Sequence, residues 1–143
     1  LNYRQQIVYN KKNFLIINDS KSTSFSSTVP LLQSYENIYW ILGGLAKKGD
    51  KLNLNKKYFK KIKAYIYGTN RAFFSNVLKN KCRLYSSKNL KNILSKLFSD
   101  IKKNKYGKKT ILFSPAAASF DQFKNFEERG RYFNQLLKKY INA

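Results

Sequence analysis

Short apolar runs recur along the chain, separated by polar or lysine-rich stretches long enough for a helix. Phe14-Leu15-Ile16-Ile17, Ile38-Tyr39-Trp40-Ile41-Leu42, Ala64-Tyr65-Ile66-Tyr67 and Thr110-Ile111-Leu112-Phe113 read as buried strands, with Arg83-Leu84-Tyr85 as a weaker one. Ahead of them Arg4-Gln5-Gln6-Ile7-Val8-Tyr9 alternates, and Asn10-Lys11-Lys12-Asn13 suits a tight turn into the first run. That pattern predicts an N-terminal hairpin whose outer strand is the antiparallel edge of an otherwise parallel sheet.

Helices are predicted at about Ser27–Ser34, Asn55–Ile62, Arg71–Lys79, Lys88–Lys103 and Asn125–Ile141. In the fourth, Leu90, Ile93, Leu94, Leu97, Phe98 and Ile101 recur at three- and four-residue steps and form a core-facing stripe. Phe126, Tyr132, Phe133, Leu136, Leu137 and Tyr140 give the last helix a similar face. Pro30 is tolerated best in a first turn, so its helix is expected to begin close to Ser27. Strands alternating with helices predict an α/β, Rossmann-like three-layer domain with a mostly parallel sheet of about six strands. No repeat or Gly/Ser/Pro linker interrupts the 143 residues, so a single domain over residues 1–143 is expected.

Composition narrows the chemistry. The chain has no His and one Cys, Cys82, which removes imidazole catalysis, an internal disulfide and a Cys/His zinc site. No apolar run approaches the ~20 residues needed to span a bilayer, so no membrane insertion is expected and a cytoplasmic location is the default. The chain opens on Leu1 and contains no Met, and we expect it to be part of a longer protein.

A net charge of +22, from 29 Lys and Arg against 7 acids, raises nucleic acid as a partner. The excess is scattered Lys, however, whereas Arg, whose planar fork makes bidentate phosphate and base contacts, occurs only at Arg4, Arg71, Arg83, Arg129 and Arg131. With abundant Asn, Ile, Tyr and Phe, this reads first as the composition of an AT-rich genome and a solvated surface. Composition thus does not favour nucleic acid as a partner, and a stand-alone basic nucleic-acid-binding or non-catalytic α/β domain is the alternative reading.

Ligands of open parallel sheets bind outside the carboxyl ends of the strands. The segments that follow the strands here are Asn18-Asp19-Ser20-Lys21-Ser22-Thr23-Ser24, Gly43-Gly44-Leu45-Ala46-Lys47, Gly68-Thr69-Asn70-Arg71 and Ser114 to Asp121. They bring Lys21, Thr23, Lys47 and Ser119 to one edge, a set of cations and hydroxyls suited to a carboxylate or phosphate. For Ser20, Ser22 and Ser24, helix capping is at least as good an account. Gly43-Gly44 lacks a Gly-Lys-Ser/Thr ending, and Gly107-Lys108-Lys109-Thr110 runs into a strand, so neither is a phosphate loop.

Three blocks carry a resemblance: Asn18-Asp19-Ser20-Lys21-x-Thr23; Leu42-Gly43-Gly44 with Lys47; and Leu112-Phe113-Ser114-Pro115-Ala116-Ala117-Ala118-Ser119-Phe120-Asp121-Gln122-Phe123-Lys124-Asn125-Phe126-Glu127-x-Arg129-Gly130. In this order they resemble the carboxy-terminal domain of the Mur ligase family of peptidoglycan biosynthesis, in the branch that adds D-glutamate. The resemblance implies a three-domain ATP-dependent amide ligase in which a front domain holds UDP-MurNAc-L-Ala and a central domain holds the phosphate loop and Mg2+. A carboxylate is activated as an acyl phosphate and the amine of D-glutamate attacks it. Alone, the present chain is expected to be inactive. By position, Thr23 and Lys47 are expected on the α-carboxylate of D-glutamate, and Ser119 and the Phe126 backbone on its side-chain carboxylate. Arg4, Asp19 and Lys21 are expected to face ATP or ADP, with Lys21, the candidate catalytic residue, near the phosphates. The family usually has His at Tyr3, Ala at Ser22, Asn at Ser24 and Cys at Ala117, and a more polar pair at Leu45-Ala46. The changes at Ser22 and Ala117 read as tolerated swaps of small residues.

Overall fold

The computed structural model describes residues 2–141; the outermost residues of the expected domain, Leu1, Asn142 and Ala143, lie outside them. The chain runs β1 (Gln6–Asn10), β2 (Phe14–Asn18), α1 (Phe25–Ser34), β3 (Ile38–Gly43), a 3-10 segment (Lys56–Lys61), β4 (Ile62–Tyr67), α2 (Arg71–Leu78), β5 (Arg83–Ser87), α3 (Leu90–Lys103), β6 (Lys109–Phe113) and α4 (Phe126–Leu137). The strands form one six-stranded sheet in the order β1-β2-β6-β3-β4-β5. All neighbours are parallel except β1 and β2, the expected hairpin.

Side chains alternate across a strand, and the central strands bury both faces. On β3, Trp40 and Leu42 join Phe25, Leu31, Leu32, Phe74 and Leu78 from α1 and α2 in one core. Tyr39 and Ile41 join Leu94, Leu97, Phe98 and Phe133 from α3 and α4 in the other. Helices thus cover both faces of the sheet, giving the α/β three-layer, Rossmann-like architecture that the pattern predicts. The α4 layer is anchored by Phe133, stacked on Phe113 with ring centroids 4.2 Å apart and planes 12° from parallel.

Helix α3 begins at Leu90, two residues after the expected Lys88, and α2 ends at Leu78, one short of Lys79. Other differences have a visible cause. The first strand starts at Gln6, because Arg4 and Gln5 lie in a bend where Gln5 has φ 46°. Helix α1 starts at Phe25, not near Ser27, so Pro30 falls beyond its first turn. The earlier start has a cause: Phe25 is buried, and its N–H donates to Asp50 Oδ2 at 2.8 Å. The expected helix at Asn55–Ile62 is a 3-10 segment in which only Phe59 is buried, too little apolar surface to hold an α-helix, and Ile62 opens β4 opposite Ile38. Helix α4 ends at Leu137, short of Ile141, and the chain continues through turns in which Tyr140 N–H donates to Leu137 O at 2.8 Å. No helix among the described residues is long and apolar enough to cross a membrane.

Candidate functional site

Beyond the carboxyl ends of β2, β6, β3 and β4 the sheet pairing carries on into the loops. Asp19 N–H donates to Phe113 O at 2.7 Å, Ser114 N–H to Ile41 O at 3.2 Å and Gly43 N–H to Pro115 O at 3.0 Å. The glycine pair lets the loop after β3 run through this crowded edge. Gly43 has φ +142°, and a Cβ there would stand 1.9 Å from Tyr67 O; Gly44 has φ +125°, and a Cβ there would stand 2.5 Å from Ala118 O. The close approach permits an isolated antiparallel bridge between Leu45 and Ala118. Lys47 follows one arm of that bridge and Ser119 the other.

A second tie brings in the loop after β2. Asp50 N–H donates to Lys47 O at 3.0 Å, and the Asp50 carboxylate holds Phe25 N–H, so the Lys47 turn is fastened to the start of α1 just beyond Thr23. Thr23 and Lys47 are exposed and Ser119 is buried. The Ser119 carbonyl accepts from Gln122 and Phe123 N–H. Phe126 opens α4 behind the cap Asn125, whose side chain accepts from Glu128 N–H. In the first turn of a helix the N–H groups have no intrahelical partner and favour an anion. Lys21 is half-buried, its Nζ 4.3 Å from the centroid of the Phe126 ring. The sheet edge therefore gathers Lys21, Thr23, Lys47, Ser119 and the Phe126 backbone, as the strand order requires.

Arg4 is exposed and stands on the same side, because Lys21 N–H donates to Tyr3 O at 2.9 Å and Gln5 N–H to Asp19 Oδ1 at 3.0 Å. Asp19 is 4% exposed, and its other oxygen accepts from Ser114 Oγ at 2.7 Å. Burial raises its pKa above the ordinary value, opposed by the Ser114 and Gln5 hydrogen bonds and the charges of Arg4 and Arg129. Asp19 thus faces inward as a fastening for the Arg4 bend. From it runs a chain of hydroxyls: Ser114 to Thr28 at 2.6 Å, Thr28 to Ser22 at 2.7 Å and Ser22 to Ser27 at 2.8 Å. Ser114 Oγ donates to Asp19 Oδ2 and each hydroxyl has one proton, so Thr28 donates to Ser114 and Ser22 to Thr28. Ser22 is accordingly an ordered link of the site, more than a tolerated small-residue swap. Ser24 is the N-cap of α1 by position, but its side chain makes no capping hydrogen bond.

Arg129 stands in the third motif block, but sequence reasoning gave it no role. It is fully buried on α4. Its Nε donates to Ser20 Oγ at 3.0 Å, Nη1 to Ala117 O at 2.8 Å, and Nη2 to Ser20 O and, at 3.3 Å, to Ser22 O. Ser20 Oγ in turn donates to Phe126 O at 2.7 Å. Burial lowers the Arg129 pKa from its usual value, countered by Tyr67, Asp121 and Asp19. A signal was present: Arg129 lies four residues before Phe133 on the apolar face of α4, where a cation has no place unless its donors are used.

A cleft of about 790 Å³ lies elsewhere. It is lined by the first residues of β4 and β5 and the last turns of α3, among them Lys63, Arg83 and Lys103, toward the opposite edge of the sheet.

No protein-family description matches the chain. Curated proteins do. The chain is 39% identical over 97% of its length to the UDP-N-acetylmuramoylalanine--D-glutamate ligase of Wolbachia sp. subsp. Brugia malayi (strain TRS), and covers 28% of that protein. It is 38% identical over 98% of its length to the ligase of the same name from Rickettsia prowazekii (strain Madrid E), covering 32% of it. With that of Rhizobium meliloti (strain 1021) it shares 38% identity over 93% of its length, covering 29%. The chain spans less than a third of these relatives. Identity is sustained along nearly the whole chain, and what the chain matches is the carboxy-terminal part of these UDP-N-acetylmuramoylalanine--D-glutamate ligases.

Proposed function

We propose that residues 1–143 are the carboxy-terminal domain of an ATP-dependent cytoplasmic ligase that joins D-glutamate to UDP-MurNAc-L-Ala in peptidoglycan biosynthesis. The observation that carries this reading is the tying of the Lys47, Ser119 and Thr23 segments at one sheet edge, through the Leu45–Ala118 bridge and the bond from Phe25 N–H to Asp50. D-Glutamate is a dianion with one cation, and a site that orients it needs separate contacts for its two carboxylates. Thr23 and Lys47 supply a hydroxyl and an ammonium to the α-carboxylate. Ser119 Oγ and Phe126 N–H take the side-chain carboxylate. Held at both ends, the amine is directed at the activated carboxyl of the UDP-linked alanine, and fixing that approach removes much of the entropy cost of the reaction.

Arg4 and the half-buried Lys21 provide exposed positive charge beside this clamp, which suits the phosphates of ATP and ADP. ATP contributes the phosphoryl group that activates the acceptor carboxylate. Within this domain Lys21 holds negative charge as it builds up, and the Phe126 ring beneath it fixes the ammonium. Asp19 serves the nucleotide indirectly, by fastening the bend that carries Arg4. Among the described residues no three His, Cys, Asp or Glu side chains gather where a metal ion could sit. We assign Mg2+, like the phosphate loop, to a preceding central domain, and UDP-MurNAc-L-Ala chiefly to a front domain.

The test is ADP formation by the full-length protein carrying this domain. Release is expected only with UDP-MurNAc-L-Ala and D-glutamate both present, and ADP formation indifferent to D-glutamate would overturn the reading.

A further inference from the structure

We infer that Arg129 is a positioning residue that fixes the spacing between the two halves of the carboxylate clamp, an inference that rests on the ligase reading above. Its guanidinium touches the carbonyls of Ser20 and Ser22, which flank Lys21 and lead into Thr23. It also touches the carbonyl of Ala117, just before Ser119. Through Ser20 Oγ it reaches the carbonyl of Phe126, whose N–H belongs to the clamp and whose ring supports Lys21. One planar group therefore spans the backbone of the α-carboxylate side and that of the side-chain-carboxylate side.

Only arginine has this reach. Its five N–H donors diverge in a rigid plane, whereas a lysine ammonium is a point donor that can satisfy one segment or the other. Every direct acceptor of Arg129 is a neutral carbonyl or hydroxyl, and among the described residues no carboxylate forms an ion pair with it. Asp19 and Asp121 influence it from beyond hydrogen-bond range. The arrangement is that of a spacer and not of a salt bridge. Burying a charge that donates only to neutral carbonyls and a hydroxyl is costly, and such groups persist where they fix a geometry.

The experiment measures steady-state kinetics of the full-length protein with Arg129→Lys and, separately, Ser20→Ala. Arg129→Lys is expected to raise the KM for D-glutamate about tenfold or more while changing kcat and the KM for ATP less than about threefold. Ser20→Ala, which removes the acceptor of Arg129 Nε together with the donor to Phe126 O, is expected to move the D-glutamate KM in the same direction by about threefold. An unmoved D-glutamate KM in folded Arg129→Lys overturns the inference, as does an equal decline of all three constants that merely follows Tm. If Arg129→Lys does not fold, Ser20→Ala decides by the same criterion. Saturation of the unaltered protein by D-glutamate combined with unmoved KM values in the variants overturns this inference alone. Turnover of the unaltered protein that is independent of D-glutamate overturns the ligase reading and the inference together.

Discussion

Leu45 and Ala118 exchange a pair of backbone hydrogen bonds, each 3.0 Å, although they follow different strands. The pair fixes where the chain leaves toward Lys47 on one side and enters Ser119 on the other. Gly44 makes it possible. In Gly44→Ala the new Cβ must move away from Ala118 O, which it would approach to 2.5 Å, and the residue must hold φ +125°. We expect a loss of about 1–3 kcal/mol of stability, read by urea denaturation, with a higher D-glutamate KM in the full-length protein. Unchanged values for both would contradict the role given to the bridge.

The stack of Phe113 on Phe133 holds α4 against the sheet, and α4 carries Phe126 and Arg129. Both rings are fully buried. Phe113→Ala should cost about 3–5 kcal/mol in urea denaturation, from lost apolar contact and the cavity left behind.

Acid stability depends on Asp100. Burial acts to raise its pKa, but hydrogen bonds from Lys96 and Tyr65 and the charges of Lys96 and Lys103 outweigh it and hold the carboxyl below its ordinary 3.8. A depressed carboxylate stabilises the fold at pH above the unfolded value, and that contribution is lost as pH falls from about 4 through the folded pKa. Asp100→Asn should therefore be less stable than the unaltered chain at neutral pH and show a shallower decline below pH about 4, measured as Tm against pH. Parallel profiles for the two proteins would contradict the assignment.

How far the sequence carries can be judged from particular elements. The strands were legible because central parallel strands are apolar throughout, as Ile38 to Leu42 are; even the weak run at Arg83 forms the exposed edge strand β5. The ends of helices were less so. The start of α1 depends on Asp50, which bonds Phe25 N–H across the site, and no local pattern encodes that contact. The edge to which the loops of Lys21, Thr23, Lys47 and Ser119 lead followed from the rule for parallel sheets, and the roles proposed for these residues rest on the motif blocks. What escaped was the framework behind the site: the ordered hydroxyls from Ser22 to Ser114, and Arg129, which pairs with groups more than a hundred residues earlier in the chain. Hydrogen bonds between such distant segments leave no periodic trace.

The +22 charge predicts weak, nonspecific adsorption to polyanions. A fluorescent single-stranded oligonucleotide should bind at low salt with a steep log-log salt slope and dissociate by about 0.15 M salt. Tight binding that persists at that salt would favour the nucleic-acid alternative.

The central claim is that Lys47 and Ser119 hold opposite ends of one dicarboxylate. Its most direct test is the D-glutamate dependence of amide formation by the full-length protein with Lys47→Ala or Ser119→Ala. Each variant should show a D-glutamate KM raised at least about tenfold, the loss of one charge-assisted hydrogen bond, with the KM for ATP little changed. A D-glutamate KM left unchanged by both substitutions would contradict the claim.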